Sequence, residues 1–167
     1  NATNATISDT QGLGTITDDD GVPSLSINDI TVTEGNAGTV NATFTVTLSA
    51  VSGQTVTVDF ATADGTALQP GDYTSNSGTL TFAPDVVSQQ LTLAINGDLL
   101  AEGNESFFLN LSSPVNAVLA DSQAVVTVID DDGTPAVVID NITLTELDSG
   151  LRNFVFAVTL SNPSGFD

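Results

Sequence analysis

The sequence contains no cysteine, histidine, lysine, methionine or tryptophan, and Arg152 is its only basic residue. Without cysteine the chain forms no disulfide and has no thiolate nucleophile. Without cysteine and histidine it also lacks the usual ligands of structural zinc and iron–sulfur sites. General acid–base catalysis loses its most common residue and is left with carboxylates. These absences exclude most enzyme classes and every metal site that depends on thiolate or imidazole.

The near-absence of positive charge excludes two classes of partner. The 167 residues include 21 acidic side chains, which give a formal net charge of −20. Nothing in the chain neutralises phosphate groups, so nucleic acid is excluded as a partner. Direct binding to an anionic membrane surface is excluded for the same reason. A field of this sign attracts cations, so we expect the chain to bind them.

Long hydrophobic runs are also missing. No stretch approaches the roughly 18 apolar residues of a membrane-spanning helix, and no signal peptide is recognisable at the start. The first residue is not methionine, and we expect the chain to be part of a longer protein. Hydrophobic residues nevertheless make up 40% of the sequence, more than acidic disordered chains contain, so we expect a folded core.

The apolar residues follow the two-residue period of β-strands. Apolar and polar residues alternate at 42–48, 55–60, 90–95 and 124–129, among other runs. Such alternation places one face of a strand in the core and the other in water. About seven runs of this kind, separated by short turns, predict an all-β fold. The expected architecture is a sandwich of two antiparallel sheets, with no amphipathic helix of useful length.

An internal repeat sets the expected domain boundaries. The motif Asp-Asp-Asp-Gly at 18–21 returns at 130–133, an offset of 133 − 21 = 112 residues. Residues 4–55 and 116–167 align at this offset without gaps and are identical at 24 of 52 positions, far more than chance gives. We interpret the chain as a slice of a tandem array with a 112-residue period. Residues 1–21 are the last strand of a preceding repeat, 22–133 a complete repeat, and 134–167 the first two strands of the next.

Many acidic side chains lie at strand ends, where an antiparallel sandwich gathers them at one pole. These candidate ligands are Glu34, Asp64, Asp98, Glu102, Glu105, Asp130, Asp131 and Asp132. Carboxylates that crowd together raise one another's pKa or require a cation. Calcium takes six to eight oxygen ligands from flexible loops, whereas magnesium keeps more water. The pattern therefore predicts a Ca²⁺ site. Asp72, in Pro70-Gly71-Asp72-Tyr73, is interpreted as a turn-capping residue and not as a ligand.

The same segments carry a family resemblance. The stretches at 34–38, 58–67, 71–73, 78–84, 98–111 and 128–132 resemble, in order, those of a Calx-beta domain. The resemblance covers the complete repeat and both flanking pieces. It implies an immunoglobulin-like sandwich with calcium at one end, as in the regulatory domains of sodium–calcium exchangers. It also implies that the backbone carbonyl of Leu100 joins the carboxylate ligands.

One position departs from the family pattern. Calcium-rich members have an additional aspartate where this chain has Gly97. We therefore expect this repeat to hold fewer ions, or to hold them more weakly.

The expected function is that of a non-catalytic, calcium-stiffened structural or adhesive module. Similar repeats occur in large bacterial surface and extracellular proteins, so we expect a secreted or cell-surface location. The expected partners are calcium ions, adjacent repeats and other copies of the chain. Three alternatives remain open. The first is a filament whose subunits share strands, motivated by the incomplete ends. The second is a calcium sensor of a transporter. The third, a glycosidase with paired carboxylates, is disfavoured because aromatic platforms for sugars are scarce.

Overall fold

The computed structural model describes residues 3–17 and 19–164, and within these residues the chain forms β-strands but no helix. The strands are β1 (Ser24–Ile27), β2 (Ile30–Thr33), β3 (Gly38–Leu48), β4 (Val56–Ala63), β5 (Ser77–Phe82), β6 (Ser88–Gly97), β7 (Glu105–Val115), β8 (Val118–Leu119), β9 (Gln123–Ile129), β10 (Val137–Ile139) and β11 (Val158–Leu160). In this described part, no helix is available that spans a membrane.

Strands β1 to β9 form two sheets that enclose one core. One sheet has the order β6-β3-β1-β8 and the other β2-β9-β7-β4-β5. In β3 the side chains of Ala42, Phe44, Val46 and Leu48 are buried, and the residues between them are more exposed. This alternation is what the two-residue period predicts. The all-β sandwich of two sheets is therefore confirmed.

The first strand region divides between the two sheets. β1 pairs antiparallel with β3, and two residues later β2 pairs in parallel with β9. Side chains stabilise the crossing: Thr45 N donates to Asn28 Oδ1 over 2.9 Å, and Val125 N donates to Asp29 Oδ1 over 2.7 Å. Parallel pairing also joins β1 to the short β8. These two parallel pairs depart from the purely antiparallel sandwich of the prediction, because the first and last strands run in the same direction.

The core is continuous and lies entirely within residues 22–133, here called the central unit. Every member of the buried hydrophobic cluster lies between Leu25 and Val128. Its largest fully buried side chains include Tyr73, Phe44 and Phe107. The Tyr73 and Phe107 rings stack with centroids 3.9 Å apart. Residues 22–133 thus contain the whole buried hydrophobic cluster, and the predicted boundaries of the repeat remain a prediction.

The two flanking pieces differ from each other. Residues 3–17 form no strand and are exposed throughout, so their expected role as the last strand of a preceding repeat remains a prediction. A strand requires a neighbouring strand to hydrogen-bond its backbone groups. In the central unit the corresponding residues form β9, which lies between β2 and β7. Beyond the central unit, β10 and β11 pair antiparallel to each other with exposed apolar side chains.

The pairing of β10 with β11 has the same register as that of β1 with β3. Leu25 pairs with Leu48, and Val137 pairs with Leu160, each 112 residues further along. The adjoining hydrogen bonds also correspond. Ser49 N donates to Ser24 O, and Ser161 N donates to Ala136 O, both over 2.9 Å. Each acceptor residue in turn donates its own N–H to the serine hydroxyl, again over 2.9 Å.

Candidate metal centre

Strand directions bring the acidic segments to one end of the sandwich, here called the acidic pole. β2 and β9 are parallel neighbours, so Glu34 and the Asp130–Asp132 triplet follow strands that end at the same edge. β7 runs antiparallel to β9 and begins at Glu105, which pairs with Val128. The loop 98–104 between β6 and β7 therefore lies at this edge as well. The predicted gathering of strand-end carboxylates is present in the structure.

Glu34, Asp130 and Asp132 form the first carboxylate group. One oxygen from each lies within 4.8 Å of the others. Glu34 is only 6% exposed. Burial, followed by the negative charges of Asp130 and Asp98, raises its pKa to about 7. Asp132 Oδ2 is also buried without a hydrogen-bond partner. A buried acceptor without a donor, next to a buried carboxylate, is what a cation site would explain.

Asp130 is held in its ionised form by backbone donors. Its Oδ2 accepts from Gly103 N over 2.6 Å and from Glu102 N over 2.9 Å. Its Oδ1 accepts from Asp132 N over 2.8 Å. Burial acts to raise the pKa of Asp130, but these N–H groups outweigh burial and lower it overall. Asp130 therefore joins the β6–β7 loop to the triplet that follows β9.

The other two aspartates of the triplet bind the turn that follows β2. Gly35 N donates to Asp131 Oδ1 over 3.0 Å, and Asn36 Nδ2 makes a short contact with Asp132 Oδ1. Gly35 has a φ of +78°, a left-handed conformation that suits glycine. These contacts fix the turn immediately beside Glu34. Asp131 does not belong to the first carboxylate group, although it was predicted as a ligand.

Asp72, Glu102 and Glu105 form a second carboxylate group, again with one oxygen from each within 4.8 Å of the others. Burial, followed by a hydrogen bond with Asp72 and by the Asp72 charge, raises the pKa of Glu105 to about 7. Burial and the charges of Asp72, Asp98 and Asp130 also raise the pKa of Glu102. Like charges at this spacing resist joint ionisation unless a cation lies between them.

Asp72 belongs to this second group, although the sequence pattern predicted only a capping role for it. Its predicted capping role is present, since Leu68 N donates to Asp72 Oδ2 over 2.6 Å. Its place in the group depends on β6, because Asn96 Nδ2 donates to Pro70 O and Gly71 O, both over 2.8 Å. Nothing local in the sequence signals this long-range contact. Within the sequence, the only available hint is that 71–73 belongs to the family-like segments.

Asp64 and Asp98 lie outside both carboxylate groups, and Leu100, predicted to bind through its backbone carbonyl, lies close to Asp98 in sequence, on the β6–β7 loop. Asp64 Oδ1 accepts from Tyr73 Oη over 2.6 Å and from Gln69 N over 3.2 Å. Burial and this bond raise the pKa of Tyr73 to about 12, so the phenol remains a donor. Asp98 Oδ1 accepts from Leu100 N over 2.6 Å, and the Asp98 charge acts on the carboxylates of both groups. Their predicted role as ligands remains a prediction.

Gly97 is where two backbone segments meet. A Cβ atom there would lie 2.1 Å from Gly35 O and 2.6 Å from Glu34 O. These are backbone atoms, so a side chain at 97 requires the β2 turn to move. The aspartate that the family pattern has at this position would therefore clash with the backbone of the β2 turn in this chain.

The geometry and donor chemistry of the acidic pole suit a hard cation. Two oxygens that each lie 2.3–2.6 Å from Ca²⁺ are at most about 5 Å apart, which is the spacing within both groups. No basic side chain competes, because Arg152 donates to Thr145 O in the segment after the central unit. Carboxylates, backbone carbonyls and water are the ligands that calcium prefers.

Comparisons with known proteins identify relatives of this unit. A model of the Calx-beta domain matches residues 17–132. Sodium/calcium exchanger 1 of Canis lupus familiaris is 39% identical over 59 residues, or 35% of this chain and 6% of the exchanger. Sodium/calcium exchanger 2 of Homo sapiens is 32% identical over 92 residues, or 45% of this chain and 10% of the exchanger. The chain thus spans a tenth or less of these relatives.

Solved structures share the fold. The apo-form Calx CBD1 domain superposes with a TM-score of 0.61 and 26% identity, covering 67% of this chain and all of that domain. The calcium binding domain CBD12 of CALX1.1 superposes with a TM-score of 0.58 and 25% identity, covering 65% of this chain and 44% of that one.

Proposed function

This chain belongs to the Calx-beta domain family, and on that premise we propose that residues 22–133 form a non-catalytic calcium-binding module. The observation that carries the proposal is the arrangement of six carboxylates in two close groups at one pole. Glu34 is buried there, and Asp132 Oδ2 is buried without a donor. In the absence of a cation this arrangement is electrostatically unfavourable, and a bound cation reverses the sign of the interaction.

Each group provides the core of one calcium site in this proposal. The first consists of Glu34, Asp130 and Asp132, and the second of Asp72, Glu102 and Glu105. Three carboxylates supply only part of the six to eight oxygens that calcium takes. Asp98, Asp131 and the Leu100 carbonyl belong to the adjoining loops and are the proposed additional ligands, with water completing the sites. Asp64 orders the neighbouring turn through Tyr73 and is a candidate for the second site.

Calcium is preferred over magnesium for a structural reason. The candidate ligands come from the β2 turn, the 70–72 turn, the β6–β7 loop, the start of β7 and the triplet. Calcium accepts variable coordination numbers and irregular geometry, whereas magnesium requires a near-octahedral shell and retains several waters. A crowded set of carboxylates from five segments therefore favours calcium.

We further propose that the module is one unit of a tandem array with a 112-residue period. The matched registers of β1–β3 and β10–β11 support this, as do the matched Ser49 and Ser161 hydrogen bonds. The triplet lies immediately before the next unit, so calcium bound there stiffens the joint. Ligand binding to the folded state adds about 2.7 kcal/mol at a hundredfold excess over Kd.

The proposed setting is a secreted or cell-surface protein. Modular extracellular sites with a Kd of about 10⁻⁴–10⁻³ M are matched to extracellular calcium. Adhesion or lateral assembly with other copies fits an array in which β10 and β11 expose Val137, Ile139 and Val158. Strand sharing between copies is the related alternative, because unpaired strand edges pair readily.

A second candidate function is calcium sensing in a transporter. The observation that favours it is the similarity of this unit to parts of sodium/calcium exchangers 1 and 2. A sensor responds to calcium by changing the angle between adjoining units, whereas a structural module responds mainly by becoming more stable and stiffer. Small-angle scattering of consecutive units with and without calcium separates the two functions.

Thermal unfolding tests the proposal. We expect Ca²⁺ to raise the Tm of residues 22–133 strongly relative to chelator, and Mg²⁺ to raise it much less. The Asp130→Asn/Asp132→Asn variant should lose the calcium response. Asp85→Asn is the control, because it removes one carboxylate at the opposite pole, against two in the double variant, and its φ of +69° suits asparagine. An equal calcium response in all three proteins would refute the metal site.

A further inference from the structure

The loop of the acidic pole contacts the segment that follows the central unit. Ala101, in the loop between β6 and β7, forms a parallel β-bridge with Ser164. Ala101 is only 2% exposed. A second contact lies close by in sequence, where Asn162 Nδ2 makes a short contact with Gly133 O. The turn after β11 is thus attached to the loop that carries Glu102.

The turn after β3 is the counterpart of the turn after β11. Ser52 and Ser164 are separated by 112 residues, the same offset that relates the two strand registers. Ser49 and Ser161 begin the two turns and make identical hydrogen bonds. Ser52 therefore occupies, at the start of the central unit, the position that Ser164 occupies at the start of the next.

The turn at 51–54 lies at the end of the sandwich opposite the acidic pole and borders an open concavity. The concavity is lined by Asp20, Gly21, Val22, Pro23, Val51, Ser52, Gly53, Gln54 and Asn116. Val22 and Val51 are each about two-thirds exposed. The turn itself is ordered, since Gln54 N donates to Ser52 Oγ and Asp85 N donates to Ser52 O, both over 3.0 Å. It carries no charge, so it approaches an acidic loop without adding repulsion.

We propose that the turn at 51–54 is a docking surface for the loop at 99–103 of a preceding copy of this unit. The contact is a backbone bridge from Ala101 of the preceding unit to Ser52, in the manner of the bridge to Ser164. The proposal rests on the tandem array and goes beyond calcium binding. It makes the two poles of one unit complementary, so that each joint is built from one acidic pole and one uncharged turn.

The absence of cysteine allows a direct test. The test protein is residues 22–133 followed directly by a second copy of residues 22–133, since each copy contains a complete core. Ala101→Cys is placed in the first copy and Ser52→Cys in the second. Bridged strands lie about 4.8 Å apart, within the Cα separation of about 4.4–6.8 Å that a disulfide spans. We expect rapid disulfide formation on oxidation.

The matched control replaces Ser52→Cys with Ser88→Cys in the second copy, an exposed serine at the start of β6 and at the same end of the sandwich as the turn. The tether alone gives both cysteine pairs a high effective concentration. Docking should make the pair with Ser52→Cys react about tenfold faster or more. In the 167-residue chain, the Ala101→Cys/Ser164→Cys variant tests whether position 101 accepts cysteine. Equal rates for the two tandem proteins would overturn the docking surface.

A cysteine-free measurement guards against an unfolded variant. Hydrogen exchange at residues 51–54 of the second copy should be slower than in the single unit, and unchanged protection would contradict docking. Calcium titration of the same tandem protein separates the two proposals. Calcium binding without slower exchange or faster crosslinking overturns the docking surface alone. Docking without calcium binding supports the surface and overturns the metal site.

Discussion

Gly103 N donates to Asp130 Oδ2 over 2.6 Å, joining the loop before β7 to the triplet after β9. Glu102 N donates to the same oxygen over 2.9 Å. Asp130 is therefore both a candidate ligand and the residue that organises a neighbouring ligand loop. Its two roles can be separated by substitution.

Asp130→Asn and Asp130→Ala should differ in their free energy of unfolding in chelator. Their calcium affinities should be reduced to a similar extent. Asparagine retains a side-chain oxygen acceptor for the loop, whereas alanine leaves the two N–H groups unsatisfied, at a cost of about 1–3 kcal/mol. Both variants lose the carboxylate, and we expect calcium affinity to fall at least tenfold in each. Denaturant unfolding in chelator and calorimetric titration measure the two effects. Equal unfolding free energies for the two variants would contradict the organising role.

Asp72→Asn tests whether Asp72, which the sequence pattern did not predict as a ligand, binds calcium. Asparagine retains an oxygen to accept from Leu68 N, so the turn is conserved while the charge is removed. We expect the loss of one bound calcium, or a clear weakening of one binding step. The stoichiometry from calorimetry is the measurement, with Asp85→Asn as the control of equal charge. Unchanged stoichiometry and affinity would remove Asp72 from the site.

The stability of the calcium-free protein should depend on pH in a defined direction. The pKa values of Glu34 and Glu105 are raised from 4.5 to about 7 in the folded state. A raised pKa contributes stability that is complete below the unfolded value and is lost as pH rises through the folded value. In chelator, the Tm should therefore rise as pH falls from about 8 to about 5. The pKa of Asp130 is lowered in the folded state, so the titration of Asp130 changes stability only below this pH range.

Glu34→Gln should flatten that pH dependence and raise the Tm in chelator at the alkaline end. With calcium present the parent protein should instead have the higher Tm, because Glu34 is a proposed ligand. This advantage should shrink as pH falls, because protons compete with the ion. The measurement is a set of melting curves for both proteins across the pH range, with and without calcium. A parent protein whose chelated form is most stable at alkaline pH would contradict the electrostatic description of the pole.

Gly97→Asp should fail to restore the missing ligand. Its Cβ would lie 2.1 Å from Gly35 O, a backbone atom, so the β2 turn must move and carry Glu34 with it. Overpacking of this kind lowers the free energy of unfolding by about 1–3 kcal/mol. We expect Gly97→Ala to lose a similar amount of stability. Gly53→Ala is the control, since its Cβ meets no atom within 4 Å. Tighter calcium binding by Gly97→Asp would show that the turn adapts.

Much of the fold follows from the sequence because two-residue alternation is a local property. Thr43, Phe44, Thr45 and Val46 alternate in the sequence and in burial. The parallel pairing of β2 with β9 is not local, since it depends on how Asn28 and Asp29 carry the chain from one sheet to the other. The short β8 has only two residues, too few for any periodicity to register.

The site can be predicted from the sequence only in part, because some of its residues are positioned by long-range contacts. Strand-end acids such as Glu34 and Asp130 follow from strand direction, and the structure brings them together. Asp72 reaches Glu105 only because Asn96 holds the 70–72 turn against β6. Asp64 instead accepts a hydrogen bond from Tyr73, whose ring is buried against Phe107. Contacts between residues distant in sequence decide both cases.

A count of bound ions tests most directly whether the acidic pole binds calcium. Native mass spectrometry of residues 22–133 with calcium, beside the Asp130→Asn/Asp132→Asn and Asp85→Asn variants, provides that count. We expect the parent protein and Asp85→Asn to bind at least two calcium ions, and the double variant to lose at least one. A parent protein that binds no calcium at millimolar concentration would contradict this expectation, and the acidic pole would then serve only to keep the surface charged.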